Sequence, residues 1–219
     1  MTSRSAIALL GTGLLGSAIA ERLHTVGHTV VAFNRTSTKA LALQTQGVAV
    51  VGAAEFAVSQ ADCAPLLLTD AAAIRSVLFT PACSAALNGK MIVQMGTIAP
   101  NESLEIQREV EQQGGAYCEA PVLGSLAEAK AGTQCIMMGG TEAQFTTWFS
   151  LFRSLGREPQ RIGPVGSAAA LKLALNHLIA AETSAYALGV GLVQRSGGGV
   201  ETFKDTLRDS GLYARTFDM

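Results

Sequence analysis

The stretch GTGLLGSAIAERLHTVGHTVVAFNRT, from Gly11 to Thr36, decides how the rest of the chain is read. Residues 6–10 before it are apolar and lead straight into Gly11, and the apolar positions Leu15, Ile19, Leu23 and Val26 then recur at helical spacing until Gly27. Residues 29–33 are β-branched or aromatic, as a second strand requires. The order is therefore strand, glycine turn, helix, strand. In that setting Gly11 permits the tight turn, Gly13 lets a pyrophosphate approach the backbone, and Gly16 lets the helix pack close to the sheet. The expected phosphate-binding loop runs through Gly11, Thr12, Gly13, Leu14, Leu15 and Gly16, and the N–H groups of Gly13, Leu14 and Leu15 add to the positive end of the helix dipole. A packing turn with no ligand is the competing account.

The end of the second strand chooses between dinucleotides, because an NAD site needs an acid there to accept from the ribose hydroxyls. Here that place holds Asn34. Asn34 does not repel a phosphate, Arg35 can stack on adenine or pair with a 2′-phosphate, Thr36 can donate its hydroxyl, and Lys39 adds charge within reach. NADP(H) is the expected cofactor. The alternative is a polar turn with one solvated arginine.

Outward from this unit, a helix capped by Thr36 or Ser37 runs to Gln46 and stops at Gly47. Strand candidates at 48–51, 65–68 and 91–95 alternate with alanine-rich helical stretches at 53–60 and 71–78, which predicts a parallel sheet covered on both faces. Pro65 fits a central strand only as its first residue. Residues 102–113, ESLEIQREVEQQ, read as an amphipathic helix closing on Gly114 and Gly115, and strands at 116–119 and 134–138 bracket a loop, APVLGSLAEAKAGT. Residues 168–195 hold no proline and no glycine before Gly189, a helix of about 40 Å. It is apolar nearly all round but interrupted by Lys172, Asn176, His177 and Glu182, so a helix buried between domains or subunits fits better than a membrane span. A shorter helical stretch follows at 201–208. The expected architecture is α/β: a Rossmann, doubly wound, mostly parallel sheet over 1–166, then over 167–219 an interdomain helix and the opening of an all-helical domain. That second domain is either cut short or completed by another chain.

Composition bounds the partners. Of 219 residues, 48% are hydrophobic and 15% charged, which suits a core-rich chain with part of its surface covered by a partner. A formal net charge of −1 offers no field for nucleic acid or an anionic membrane. Cys63, Cys83, Cys118 and Cys135 form no CxxC pair and read as reduced core thiols; His24, His28 and His177 make no metal-binding pattern, so no metal is expected. The short run before Gly11 leaves no signal-peptide apolar region, and the cytoplasm is the expected location.

Lys172 and Asn176 lie four apart and share a helical face. From spacing alone a snorkelling lysine beside a helix-interior asparagine is the commoner arrangement, and a proton donor with an orienting amide stays open. At this point the chain resembles the β-hydroxyacid dehydrogenase family, relatives of 6-phosphogluconate dehydrogenase that include glyoxylate, succinic-semialdehyde and tartronate-semialdehyde reductases. The resemblance rests on the opening stretch, on MGTIAP at 95–100, EAPVLGSLAEAKAGT at 119–133 and GPVGSAAALKLALNH at 163–177, and on their order. It implies hydride transfer between a nicotinamide and the carbonyl carbon of a small acid, and a homodimer formed through the helical domain. Lys172 matches the family's catalytic lysine and Asn176 the amide beside it. Thr97 falls on the cofactor loop after the fifth strand, and Leu68 and Thr69 on the loop after the fourth. The family's substrate loop usually ends Ser-Gly-Gly where this chain has Leu123, Gly124 and Ser125, so a hydroxyl donor has become a hydrophobe. Gly96 and Gln94 replace a frequent serine and aspartate. The expected function is an NADPH-dependent reductase of small semialdehydes or keto acids. An imine reductase is a second enzymatic reading, which Lys172 argues against, and Leu123 with the early end of the chain motivates a non-catalytic dinucleotide-binding scaffold.

Overall fold

A computed structural model describes residues 6–218, apart from the side chains of Ser37, Lys39, Arg215 and Asp218. The opening stretch gives β1 (Ile7–Leu10), α1 (Leu14–Thr25), β2 (Val30–Phe33) and α2 (Ser37–Gln44). Four further units follow: β3 (Ala49–Val51) with α3 (Ala54–Ser59), β4 (Cys63–Leu66) with α4 (Ala71–Leu78) and α5 (Pro81–Ala86), β5 (Met91–Gln94) with α6 (Pro100–Gln112), and β6 (Ala116–Glu119). Beyond them lie β7 (Val122–Leu123), α7 (Leu126–Ala131), β8 (Cys135–Gly139), α8 (Glu142–Leu155), β9 (Gln160–Gly163) and the long helix α9 (Ser167–Arg195), then α10 (Val200–Arg208).

Strands β3, β2, β1, β4, β5 and β6 pair in that order, all parallel; β8 then joins antiparallel to β6, with β7 antiparallel and β9 parallel to β8. Because side chains alternate along a strand, Ile7 and Leu9 enter one core with Ile19, Leu23 and Phe152, while Ala8 and Leu10 enter the other with Ile74, Ile92 and Tyr117. The sheet is thus buried on both faces, as its apolar strands predict. Strand order reverses between β1 and β4, and the crevice at their carboxyl ends is where such sheets bind ligands.

Three expectations need correction. Pro65 is the third residue of β4, a central strand, rather than its first. It is in register with Val93 of β5, whereas the pairs with β1 fall at Ile7 with Cys63 and Leu10 with Leu66, on either side of it. The missing N–H therefore meets a gap in the ladder. The stretch between β6 and β8 is not a plain loop, because it holds β7 and α7; the latter is capped by Ser125 and ended by left-handed Gly132. Cys63, Cys83 and Cys118 are core thiols, but Cys135 is exposed.

The chain divides into two compact units between Lys172 and Leu173. In the second, Tyr186 on α9 stacks on Phe203 of α10 at 6.1 Å and on Phe217 at 5.0 Å, and the Thr216 hydroxyl donates to Glu182. Only Ala168 and Ala169 of α9 are buried by the chain itself, while Leu178, Leu188 and Leu192 are exposed. No helix among the described residues is long and apolar enough to cross a membrane.

Candidate active site

The glycine turn is built as its sequence requires. Gly11 has φ 104°, open to glycine, and its N–H donates to the Phe33 carbonyl at 2.9 Å, tying the turn to β2. A side chain at Gly16 would run into the Gly11 carbonyl, so α1 starts in contact with the turn. Gly13 is different, since a Cβ there would meet nothing within 4 Å. It precedes α1 as a cap without a side-chain hydrogen bond, which leaves the helix's first N–H groups facing open space. These are the conditions a pyrophosphate needs, and the residues fit one.

Asn34 does more than stand in for an acid. Its Oδ1 accepts from the Thr12 N–H at 3.0 Å and its Nδ2 donates to the Thr36 carbonyl at 2.9 Å, so one amide bridges the glycine turn and the start of α2. Thr36 occupies the cap position of α2, yet its hydroxyl makes no capping bond. It lines, with Gly11, Gly13, Asn34, Arg35, Leu68 and Thr69, a crevice of about 190 Å³. Arg35 is exposed and forms no ion pair among the described residues. The expectation for Lys39 concerns a side chain outside the described residues.

A second cleft, about 360 Å³, begins on the other side of the same turn. It is lined by Gly13, Leu14, Leu15 and Gly16, by Leu67 and Leu68 after β4, by Met95, Gly96 and Thr97 after β5, by Val122 and Gly124, and by Lys172. The helix start, both strand-end loops and the lysine thus meet in one space. Gln94, buried beneath it, shapes the wall: its Oε1 accepts from the Gly96 N–H at 2.5 Å and its Nε2 donates to the Gly96 carbonyl at 3.2 Å. Desolvation holds the Lys172 ammonium below the usual lysine range, and the nearby Cys135 acts in the opposite direction. Such a lysine gives up its proton more readily.

The three substrate-loop positions separate. Gly124 lines the cleft, whereas half-buried Leu123 pairs with Cys135 across β7 and β8. Ser125 caps α7, its hydroxyl accepting from the Glu128 N–H at 3.3 Å while its own N–H donates to the Glu128 carboxylate at 2.7 Å; these bonds hold that carboxyl below its ordinary value. Asn176 stands one turn beyond Lys172 on α9, exposed, in the second unit. Among the described residues no group of three His, Cys, Asp or Glu side chains could hold a metal ion.

Sequence reasoning passed over Glu119. It is 1% exposed, at the end of β6, and its Oε1 accepts from the N–H groups of Gly166, Ala168 and Ala169 at 2.8, 2.8 and 3.0 Å. The signal was present: an acid closing an apolar strand, AYCE, must find partners or stay out of the core.

This arrangement defines a dinucleotide-binding α/β protein with a lysine-bearing cleft beside the glycine turn. Residues 6–166 match the NAD binding domain of 6-phosphogluconate dehydrogenase, and the chain belongs to that family of nicotinamide-dependent oxidoreductases. Glyoxylate/succinic semialdehyde reductase 1 of Arabidopsis thaliana is 29% identical over 203 residues, 92% of this chain and 70% of that protein. The cytokine-like nuclear factor N-PAC of Danio rerio is 30% identical over 92% of this chain, which spans only 44% of that protein. Among solved structures, 3-hydroxyisobutyrate dehydrogenase of Mycobacterium tuberculosis, with L-serine, superposes with a TM-score of 0.90 at 25% identity over 97% of this chain and 73% of that one. An imine reductase of Myxococcus stipitatus in complex with NADP+ shares the fold, with a TM-score of 0.85 at 22% identity over 93% and 71% of the two chains.

Proposed function

We propose that the protein is an NADPH-dependent reductase of small aldehydes or keto acids, working reversibly on the corresponding hydroxy compounds, with Lys172 as proton donor. The observation that carries this reading is the placement of a desolvated lysine in the cleft that also receives Gly13, Thr97 and Gly124. The 29% identity to a glyoxylate/succinic semialdehyde reductase supports the substrate class. Gly11 to Gly16 would hold the pyrophosphate, Leu68, Thr69 and Thr97 would flank the nucleosides, and Asn34, Arg35, Thr36 and Lys39 would receive the 2′-phosphate.

When bound, the cofactor supplies a hydride to the carbonyl carbon. Lys172 gives its proton to the carbonyl oxygen, where negative charge develops, and Asn176 orients the pair. In the reverse direction neutral Lys172 takes the hydroxyl proton. Residues 1–166 form the dinucleotide-binding domain, and 167–219 the interdomain helix and part of a helical domain through which two copies associate in the cytoplasm. Purified full-length protein is expected to consume NADPH with glyoxylate, succinic semialdehyde or a member of a wider carbonyl panel, and no consumption with any of them overturns the reading.

Leu123 favours a second reading, because it places a hydrophobe where a carboxylate-binding hydroxyl is expected. On that reading the protein is a dinucleotide-binding scaffold. Tight NADPH binding without turnover, unaltered by Lys172→Ala, is its signature.

A further inference from the structure

Strand β6 ends at Glu119, and from there the same residue leads two ways. Its backbone continues through Ala120 and Pro121 into Val122 and Gly124, which line the lysine cleft. Its side chain turns instead to the start of α9, where the Gly166, Ala168 and Ala169 N–H groups have no carbonyl one turn earlier to receive them. Ser167, the first residue of that helix, donates its hydroxyl to the Pro164 carbonyl at 2.5 Å, and the three N–H groups go to Glu119 instead. The cap comes from 47 to 50 residues away in sequence.

The carboxylate is spent wholly inside the protein. Its second oxygen accepts from the Ser103 hydroxyl of α6 at 2.5 Å, and Ser103 lies 2.9 Å from the Tyr117 hydroxyl. Gly139 on β8 leaves it room, for a side chain there would touch Oε1. A buried carboxylate is costly unless fully paired, and four donors meet it here with a helix dipole pointing the same way. Such an arrangement fixes one geometry. Lys172 comes four residues after Ala168, one turn further along that helical face.

We propose that Glu119 is the positioning residue of the proton donor: by holding the first turn of α9 it sets where Lys172 stands against the loop that continues from its own backbone. This rests on reading Lys172 as the proton donor. The titratable groups around Glu119 are Tyr117 and Cys118 on its own strand, both pushed far up by burial, while α6 offers Ser103 and α9 only backbone. Lys172 faces Cys135 from β8. Glu119 thus acts on the lysine through the helix start that its hydrogen bonds hold.

Glu119→Gln keeps size and one acceptor oxygen but removes the charge. In that variant NADPH affinity is expected to stay within about twofold, since the glycine turn is untouched, while kcat falls about tenfold to a hundredfold with little change in KM. The Lys172 titration, followed in the chain without cofactor by NMR of ¹³Cε-labelled lysine and assigned with Lys172→Arg, should depart from its wild-type value, because desolvation lowers it and a loosened first turn changes how the lysine is buried. Glu119→Asp keeps a carboxyl but withdraws it from the α9 N–H groups, so it should leave kcat low and the titration displaced as well. A folded Glu119→Gln variant with kcat and titration both unchanged overturns the proposal. Should that variant fail to fold, Ser103→Ala decides: a titration and kcat equal to wild type overturn it, and a change in both supports it. If wild-type protein turns over no carbonyl, the functional reading fails alone, and the NMR titration still tests Glu119.

Discussion

Arg35 projects from the end of β2 with no ion pair among the described residues, beside a threonine whose hydroxyl makes no capping bond. On the proposed reading a 2′-phosphate would call on both, so Arg35→Ala is expected to weaken NADPH by about tenfold or more and NADH much less. Fluorescence titration of each cofactor checks this, and equal losses would show that the clamp is misassigned. Lys172 sets a pH dependence whose sign follows from its lowered pKa. With Lys172 as the proposed proton donor, reduction would need the ammonium, so kcat/KM for carbonyl reduction should fall as pH rises through a value below the ordinary lysine range of about 10.4, and the hydroxy-acid oxidation should rise over the same interval. Profiles that coincide for the two directions would remove Lys172 from the proton transfer. The positions of both residues at the two clefts followed from the sequence, Arg35 from the end of the second strand and Lys172 from the family resemblance; their surroundings did not. That Ser125 caps α7, or that Glu119 reaches α9, depends on contacts set by packing of distant segments.

At the scale of elements, α1 separates two roles that one glycine pattern combines. Gly16→Ala forces a methyl against the Gly11 carbonyl and should destabilise the fold by about 1–3 kcal/mol in urea unfolding. Gly13→Ala meets no protein atom, so stability should hold within about 0.5 kcal/mol while NADPH binding is lost. If Gly13→Ala binds NADPH normally, the pyrophosphate lies elsewhere. The strands β1 to β6 could be read as apolar or β-branched runs because both of their faces are buried, and α1 from apolar residues recurring on one face, whereas α8 and β9 were not read. Of the three six-residue helices, α3 was legible from its alanine-rich composition, while α5 and α7 were not, since less than two turns carries no usable period. Their caps were nonetheless written locally, as Thr80 before Pro81 and as Ser125 with Glu128. Likewise Thr141 with Gln144 opens α8, whose Phe145, Phe149 and Phe152 recur at helical spacing. Pro65 misleads for a different reason, because which ladder bonds a strand lacks is a property of its neighbours.

For the whole molecule, the long helix is the informative part. Leu178, Leu188 and Leu192 are exposed and fall within an arc of about 80° on α9 at 3.6 residues per turn. A chain with 48% hydrophobic residues has little reason to leave such a stripe wet. Sedimentation velocity at micromolar concentration should therefore give a dimer, and Leu188→Glu with Leu192→Glu a monomer that still binds NADPH. A wild-type monomer would refute association through this helix.

The amide of Asn34 has a practical consequence for anyone wishing to change the coenzyme. Exchanging it for aspartate, the obvious route to an NAD enzyme, keeps the acceptor for Thr12 but sets a carboxylate against the Thr36 carbonyl it now bonds. The swap would slacken the turn that must grip any coenzyme, and the redesigned protein would lose grip before it changed taste. Redesign should therefore begin at Arg35 and Thr36, leaving the strut between turn and helix in place.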